Sequence, residues 1–508
     1  MVCLIGIDIG STNTKVCAFD EGGSLLASAT QPTPWRAVGP RRAHAHASAL
    51  WATAAECLRT LTAQLNPSDV AGVAVASIGE TGVALDARGE PLCKVLAWYD
   101  ECSLPQAQAV EALLGSRRIY QATGLPPGHT YTALKLLWLQ QVHPDVLAHT
   151  THWLPVCDYV AACLGAQPAM GYSQASRSML MKLETRCWWQ EGLQALGLPG
   201  SILPQLLPEG SPTGRVTPAA AQQTDLLAGT PIFLGGHDHV CGALAAGVLS
   251  PGAVLDSTGT TEAQLTAIAA VQQHLAAANQ AFCLGCHVVP DTYYATGAIL
   301  GAGGLLAWLV DLLGLTNVDE LLSLAQTSSP GAEGLYLLPH LAGAGSPDRD
   351  SGARGILVGL TLSHRRADLA RAAFEGLAYE LRVLWQALEA YSGVPIKHVV
   401  GVGGGARSAA WSQLKADVTG HALTVPQQSE AVAQGAALLA GLGAGVYADA
   451  VSAVDRIRQA ESRYQPEPER QARYDQLYEG YIIKLREKAA MLGSLSGHCY
   501  LELATKSI

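Results

Sequence analysis

Apolar and polar residues alternate along the start of the chain and predict β-structure there. The alternation over residues 4–9 predicts a strand. Small polar residues at 10–13 predict a tight turn, and the extended pattern resumes over 15–19. Residues 20–23 predict a second hairpin turn. The chain is therefore expected to open with a run of antiparallel strands.

The rest of the first half alternates between short strands and helices. Helical spacing covers residues 49–65 and dominates residues 106–165. Residues 203–229 are rich in proline, glycine and threonine, and we expect them to be a surface connection. The predicted strands are 70–77, 83–85, 95–98 and 231–234.

The second half repeats the opening pattern. Residues 253–261 place Asp256 in a strand and follow it with a turn of serine, threonine and glycine. This echo predicts a duplicated architecture with one phosphate-facing turn in each domain. We expect an N-terminal domain over 1–246, a C-terminal domain over 247–450 and a helical extension over 451–508. Further predicted elements are helices at 240–246, 298–312, 367–391, 409–419 and 430–442, a strand entering a glycine turn at 398–405, and a charged amphipathic stretch at 460–492.

Composition and charge narrow the class of protein. Of the 508 residues, 49% are hydrophobic and 15% are charged, which is typical of a globular chain. A net charge of −10 argues against nucleic-acid and anionic-membrane partners. No apolar run is long enough to span a bilayer, and Asp8 interrupts the N-terminal apolar run that a signal peptide requires. We expect a cytoplasmic protein with reduced thiols.

Two local patterns resemble haem or metal sites, but we expect neither to bind haem or a metal ion. The sequence CLGCH at 283–287 has the spacing of a c-type haem attachment site. That chemistry requires export, so two buried cysteines in a strand are the expectation. His44 and His46 lie close together in sequence without evident partner ligands, and we expect surface histidines.

The first turn has the residues needed to hold a phosphate with its metal ion. Asp8 can hold the water shell of Mg²⁺, while Ser11, Thr12 and the backbone N–H groups of the turn contact phosphate oxygens. MgATP carries its own counter-cation and therefore suits an acidic chain. An ordinary β-hairpin explains the same residues equally well.

Asp238 and a late glycine turn each allow two interpretations. Asp238 follows a short strand and precedes a helix, so it is either a general base at a strand end or a helix N-cap. Residues 401–406 formally fit the dinucleotide fingerprint, but bare glycine backbone against an adenine fits as well. No P-loop motif occurs.

Several ordered motifs resemble the FGGY family of carbohydrate kinases, within the actin, sugar-kinase and heat-shock ATPase superfamily. The resemblance spans about residues 3–485 and implies an α/β fold: a two-domain actin-like ATPase, ribonuclease H-like, with a duplicated core and a central cleft. The motifs are GIDIGSTNTKV at 6–16, GGHDHVCGALAAG at 235–247, LDSTGTT at 255–261, GILVGLTLSHRRADLARAAFEGLAYELRVL at 355–384, GVGGGARSAAWSQLKADVTG at 401–420, EAVAQGAALLA at 430–440 and RYQPEPERQARYDQLYEGY at 463–481.

The resemblance implies that the chain phosphorylates a hydroxyl of a sugar or polyol with ATP and Mg²⁺. Asp238 would be the general base, and Asp8 would support the metal. Substrate contacts would come from Glu80, Thr81, Trp98, Asp238 and His239. Nucleotide contacts would come from Ser11, Thr12, Asn13, Lys15, Gly259, Thr260, Thr261, Gly303, Gly404, Gly405 and Ser408. The expected partner is a small sugar or polyol; a homodimer is one expected assembly, although nothing in the sequence selects it.

The substrate motifs depart from the usual family patterns. Glu80 and Thr81 match glycerol kinases, but Gly79 stands where their arginine would be. Cys102 lies where an arginine often follows a W-x-D motif, and Ala344 lies in a loop without the usual Glu-Arg pair. A solvated turn is the alternative role for Glu80.

Four functions remain open on these grounds. The first hypothesis is phosphorylation of an open-chain ketopentose such as xylulose. A glycerol- or erythritol-type polyol kinase and a sugar-binding or regulatory relative without transfer are the alternatives, and a Rossmann dehydrogenase is the most distant one.

Overall fold

The computed structural model describes residues 2–39, 41–259, 261–277, 280–428, 430–457 and 461–486. Its strands are β1 (Cys3–Ile9), β2 (Asn13–Asp20), β3 (Leu25–Pro32), β4 (Arg36–Gly39), β5 (Arg42–Ala45), β6 (Val70–Ser77), β7 (Gly82–Leu85), β8 (Val95–Leu96), β9 (His152–Pro155), β10 (Ala169–Gly171), β11 (Met181–Lys182), β12 (Cys187–Trp188), β13 (Gln205–Leu207), β14 (Pro212–Arg215), β15 (Pro231–Phe233), β16 (Ala253–Thr258), β17 (Glu262–Ile268), β18 (Cys283–Cys286), β19 (Tyr293–Ile299), β20 (Tyr336–Leu338), β21 (Ile356–Val358), β22 (His398–Val402), β23 (Leu423–Pro426) and β24 (Glu461–Tyr464). Its α-helices are α1 (Ala47–Thr62), α2 (Leu104–Leu114), α3 (Ser116–Thr123), α4 (Thr132–Val142), α5 (Pro144–His149), α6 (Val156–Leu164), α7 (Tyr172–Ala175), α8 (Gln190–Leu196), α9 (Pro218–Thr224), α10 (Asp238–Ala245), α11 (Gln272–Ala276), α12 (Ala302–Leu312), α13 (Val318–Gln326), α14 (Arg366–Ser392), α15 (Ala409–Thr419), α16 (Ala431–Gly443), α17 (Ala450–Ile457) and α18 (Pro468–Tyr481).

The chain forms two compact units. Unit 1 consists of Met1–Ser250, Ala267–Ala295 and Glu430–Gln459, and unit 2 consists of Pro251–Thr266, Thr296–Ser429 and Ala460–Ile508. The units are defined by contacts between residues. The domain bounds expected from the sequence are not tested by them and stay a prediction.

A six-stranded sheet in the order β14-β15-β6-β1-β2-β3 forms the centre of unit 1. Strand β1 pairs antiparallel with β2 and parallel with β6. Ile5, Ile7 and Ile9 lie on one face of β1 and are fully buried. On the other face, a Cβ on Gly6 would collide with the carbonyl group of Ala433, so α16 packs directly on the strand. The alternation therefore places Asp8 on the same face as Gly6.

Unit 2 repeats this local arrangement. Strand β16 pairs antiparallel with β17 and parallel with β22, which in turn pairs parallel with β23. A hairpin strand flanked by a parallel third strand is thus present in both units. This repetition is the duplicated core that the sequence predicted.

The prediction that residues 203–229 form a surface connection is wrong. This stretch contains β13, β14 and α9, and β14 is an edge strand of the unit 1 sheet. Pro212 and Gly214 hide the strand from sequence patterns, but a proline is tolerated at an edge, where no neighbour needs its N–H.

Other elements differ from prediction at their bounds. Strand β8 ends at Leu96, and β9 interrupts the stretch expected to be helical. The helix expected from residue 298 begins at Ala302, because residues 298 and 299 still belong to β19 and Gly301 adopts a left-handed conformation with φ +68°. The stretch 460–492 yields β24 and α18, and residues 460 and 487–492 lie outside the described residues.

Several other expectations agree with the structure, one of them only in part. β6 and α15 have the predicted bounds, and Cys283 and Cys286 are buried in β18. His46 is exposed as expected, whereas His44, also expected at the surface, is half-buried in β5. Among the described helices, none combines the length and apolar character needed to cross a membrane.

Candidate active site

Asp8 lies at the end of β1, directly opposite Lys15 of β2. Its Oδ1 atom is buried and has no hydrogen-bond partner among the described residues. Burial, and then the nearby charge of Asp238, raise the pKa of Asp8 to about 8. A buried carboxylate beside a second carboxylate is costly without a cation, so these residues fit a divalent metal ion.

The turn after β1 brings together residues that the sequence assigned to different ligands. Ser11 and Thr12 are exposed, and Asn13 begins β2. The Nε1–H of Trp98 donates to Ser11 Oγ at 3.1 Å, so a predicted sugar contact touches a predicted phosphate contact. Lys15 Nζ donates to Glu430 Oε2 at 2.7 Å, an ion pair that the sequence did not indicate.

Asp238 is the first residue of α10, and the N-cap is His237. The interpretation of Asp238 as the N-cap is therefore wrong. Its Oδ1 accepts a hydrogen bond from the backbone N–H of His239 at 2.6 Å. Burial raises the pKa of Asp238 to about 7, although that hydrogen bond and the charge of Arg177 lower it. Asp238 is thus a carboxyl group that titrates near neutral pH, as a general base requires.

A buried layer holds the start of α10 in position. Ser173 Oγ accepts from the N–H of His237 at 3.0 Å, and the N–H of Ser173 donates to Glu209 Oε1 at 2.6 Å. Burial raises the pKa of Glu209 to about 7. Sequence analysis missed Ser173 and Glu209, because neither lies in a motif with a recognisable spacing.

Glu80 is buried, with 8% of its surface exposed, so the solvated-turn alternative is wrong. Its Oε1 accepts from Nε of Arg177 at 2.7 Å, and its backbone carbonyl accepts from Lys135 Nζ at 2.7 Å. Thr81 is buried beside it, with no partner for its hydroxyl among the described residues.

The three positions that depart from the family pattern are packed closely in the structure. A Cβ on Gly79 would lie 2.6 Å from Cδ2 of His237, so no side chain fits there without a shift. Cys102 is buried, and Asp100 pairs with Arg42 at 2.7 Å. Ala344 is also buried.

The nucleotide residues predicted in unit 2 lie at turns and helix starts. Gly259 follows β16, and Thr260 lies outside the described residues. Ser408 is the N-cap of α15, and its Oγ accepts from the N–H of Trp411 at 3.4 Å. The remaining positions are Thr261 before β17, Gly303 in the first turn of α12, and Gly404 and Gly405 after β22.

The aspartate that echoes Asp8 is fully engaged inside unit 2. Lys415 Nζ donates to Asp256 Oδ2 at 2.7 Å and also contacts Glu262 Oε1. Gln264 Nε2 donates to Asp256 Oδ1 at 2.7 Å. Burial opposes charge on Lys415, but the two adjacent carboxylates raise its pKa. Asp256 is therefore a structural ion-pair residue.

Two family models match the chain. The chain matches the FGGY family of carbohydrate kinases, N-terminal domain, over residues 3–245 and the C-terminal domain over residues 255–444. The chain belongs to this family and is a carbohydrate kinase. The alternative that the glycine turn at 401–406 marks a Rossmann dehydrogenase is therefore wrong.

Relatives with different substrates resemble the chain over nearly its full length. A xylulose kinase from Staphylococcus epidermidis is 30% identical over 94% of this chain and 95% of the relative. A gluconokinase from Bacillus subtilis is 26% identical over 91% of both. A glycerol kinase from Gloeobacter violaceus is 30% identical over 91% of this chain and 93% of the relative.

Solved structures give the fold. The crystal structure of a ligand-bound xylulose kinase from Lactobacillus acidophilus has a TM-score of 0.89 and 23% identity, over 97% of this chain and all of that one. The fold is that of the actin-like ATPases, as expected from the motifs.

Proposed function

We propose that this kinase transfers the γ-phosphate of ATP to a hydroxyl of a small open-chain sugar, and that the sugar is a ketopentose such as xylulose. The observation that carries the proposal is the position of Asp238. Its carboxyl group is largely buried at the start of α10, its pKa is raised to about 7, and it lies within electrostatic reach of Glu80 and Arg177.

Asp238 acts as the general base. Its carboxylate takes the proton of the reacting hydroxyl as the sugar oxygen forms a bond to the γ-phosphorus. The bond between that phosphorus and the β,γ-bridging oxygen breaks, and ADP leaves with the electron pair. A carboxylate whose pKa is near the working pH is ionised often enough to accept the proton and basic enough to hold it.

Asp8 supports the metal ion in this proposal. The unsatisfied Oδ1 of Asp8 fits Mg²⁺ directly or through water. When bound, Mg²⁺ neutralises negative charge on the phosphate oxygens. Phosphate contacts come from the turn after β1, with Ser11 and Thr12, and from the start of β2, with Asn13 and Lys15. The predicted contacts of unit 2 are those named above: Gly259, Thr260, Thr261, Gly303, Gly404, Gly405 and Ser408.

The sugar lies against Glu80, Thr81, Trp98 and His239 in this proposal. A ketopentose is favoured because xylulose kinases are among the relatives that align over nearly the full chain. A glycerol- or erythritol-type polyol is the second candidate, since a glycerol kinase is also 30% identical, over 91% of this chain.

A panel assay of ADP release tests the proposal. The full chain is incubated with MgATP and, separately, with ketopentoses, aldoses, pentitols, tetritols and glycerol, and each rate is compared with a blank without sugar. We expect the largest rate above the blank with a ketopentose. A response restricted to glycerol or a tetritol would replace the ketopentose with the second candidate, and no response to any compound would contradict the proposal.

A further inference from the structure

Arg177 is a largely buried cation whose charge acts on Asp238, and the proposed function leaves it without a role. Its Nε donates to Glu80 Oε1 at 2.7 Å, and its Nη2 contacts the same oxygen. Its Nη1 is buried and has no hydrogen-bond partner among the residues that the structure describes. Since a buried N–H group left unpaired is costly, this donor is open to a hydrogen bond from a ligand atom.

Other polar atoms around Glu80 are unsatisfied in the same way. The hydroxyl groups of Thr81 and Tyr294 are buried and make no hydrogen bond within the described part of the chain. The Arg177 guanidinium lies 5.6 Å from the centre of the Tyr131 ring, which fixes its plane. Several unpaired donors and acceptors around one carboxylate suit a ligand that carries several oxygen atoms.

The backbone at Glu80 is strained, and the surrounding scaffold maintains the strain. Glu80 has φ +59°, a left-handed conformation that costs a non-glycine residue about 1–2 kcal/mol. Lys135 Nζ holds the Glu80 carbonyl at 2.7 Å, and Gly79 lies against the ring of His237. The turn is thus held against the segment that bears Asp238, and strain of this kind is typical of ligand-binding positions.

The charges around this turn favour a neutral ligand. The charge of Arg177 is balanced by Glu80, and the ammonium group of Lys135 donates to three backbone carbonyls at 2.7, 3.0 and 3.4 Å. Burial lowers the pKa of both His237 and His239, so neither adds a positive charge at neutral pH. A carboxylate ligand would find no unopposed cation among these groups.

From this geometry we infer that Arg177 and Glu80 form a subsite for two neighbouring oxygen atoms of a neutral open-chain sugar. Arg177 Nη1–H donates to a carbonyl or hydroxyl oxygen. Glu80 Oε2 accepts from the hydroxyl on the adjacent carbon, while its Oε1 accepts from Arg177 Nε. Sugar acids are rejected, because their carboxylate would lie beside that of Glu80. The inference rests on the proposed function only for the position of the sugar next to Asp238.

Calorimetric titration of sugars into the full chain without ATP tests the inference independently of turnover. The probes are D-xylulose, xylitol and D-gluconate. We expect the unsubstituted protein to bind D-xylulose or xylitol much more tightly than D-gluconate. Arg177→Lys removes the forked donor but keeps the charge, and it should weaken binding of the neutral sugar about 10- to 100-fold. Arg88→Lys, in an exposed turn, is the matched control and should change nothing.

Glu80→Gln supplies a second readout, in which an affinity is expected to rise and not to fall. This substitution keeps the shape of the side chain but leaves Arg177 as an unopposed cation. We expect the ratio of D-gluconate to D-xylulose affinity to rise at least about tenfold, a change that a merely structural role for Glu80 would not produce. If Arg177→Lys does not fold, the Glu80→Gln ratio decides the test.

The outcomes separate this inference from the proposed function. Unchanged sugar affinity in folded Arg177→Lys, an unchanged ratio in Glu80→Gln, or preference of the unsubstituted protein for D-gluconate would overturn the inference. Failure to bind either neutral probe would overturn it as well. Binding with the expected pattern but without ADP release would leave the subsite standing and reject the phosphate transfer.

Discussion

Two aspartates lie in equivalent hairpins, one in each unit, and their surroundings are opposite. Asp8 has a buried oxygen without a hydrogen-bond partner among the described residues, and its pKa is raised to about 8. Asp256 accepts from Gln264 and from Lys415, so both of its oxygens are engaged. The same strand and turn pattern therefore yields a carboxylate available for chemistry in unit 1 and an ion-pair carboxylate in unit 2.

The difference comes from residues far away in the chain. Lys415 lies 159 residues from Asp256 in sequence, yet its ammonium group neutralises that hairpin. In unit 1 the comparable cation, Lys15, is paired with Glu430. A motif thus predicts where a carboxylate lies, and its long-range partners decide what the carboxylate can do.

The largest expected effect is at Asp238. The contrast between the two units requires that carboxylates of unit 1 take part in catalysis, and a substitution of Asp238 tests this requirement. Asp238→Asn keeps the shape of the side chain but cannot accept a proton. We expect kcat to fall about 10²- to 10⁴-fold with little change in the KM for sugar or MgATP. The measurement is steady-state ADP release with the sugar identified by the panel. Asp225→Asn, at an exposed helix end, is the control, and near-normal kcat in Asp238→Asn would reject Asp238 as the base.

Lys415 provides the corresponding test in unit 2, with stability as the readout. Lys415→Met leaves Asp256 and Glu262 as buried carboxylates without their cation, which should lower the free energy of unfolding by about 3–5 kcal/mol. Chemical denaturation measures the loss. Lys397→Met, on an exposed side chain, should stay within about 0.5 kcal/mol of the unsubstituted protein. An equally small effect for Lys415→Met would mean that the network in unit 2 is not structural.

The pH dependence of kcat/KM is a smaller expected effect that also tests the catalytic role of Asp238 in unit 1. Because the pKa of Asp238 is raised to about 7, its base form predominates above that pH and declines below it. We expect kcat/KM to fall about tenfold per pH unit below pH 7, and to level off above it, at saturating Mg²⁺. A discontinuous assay of ADP avoids the pH limits of coupling enzymes. A flat profile from pH 5.5 to 7 would contradict the raised pKa.

Local patterns predicted much of the fold. β6 and α15 were predicted to the residue, because an unbroken apolar run and a clear helical period each end at a distinct turn residue. β14 was not predicted, because its proline and glycine mimic a loop and only its place at the edge of a sheet makes it a strand.

The candidate site was predictable only where its residues share a motif. Asp8 lies near the end of a strand and Asp238 follows one, each within a motif, so the sequence indicates both. Arg177 lies 97 residues from Glu80, and Lys135 lies 55 residues from it. No local pattern encodes such contacts, so the partners that set the charge of the site could not be predicted.

The central claim is that equivalent aspartates of the two hairpins have separate roles, and paired substitutions test it most directly. Asp8→Asn and Asp256→Asn are measured side by side for Mg²⁺-dependent turnover and for the free energy of unfolding. We expect Asp8→Asn to weaken Mg²⁺-dependent activity by at least about 10- to 100-fold while stability is unchanged or raised, since a costly buried carboxyl is removed. Asp256→Asn should lower stability by about 1–3 kcal/mol, because Lys415 loses a charged partner. Loss of stability in Asp8→Asn with normal Mg²⁺ dependence, or a stable but inactive Asp256→Asn, would contradict the account.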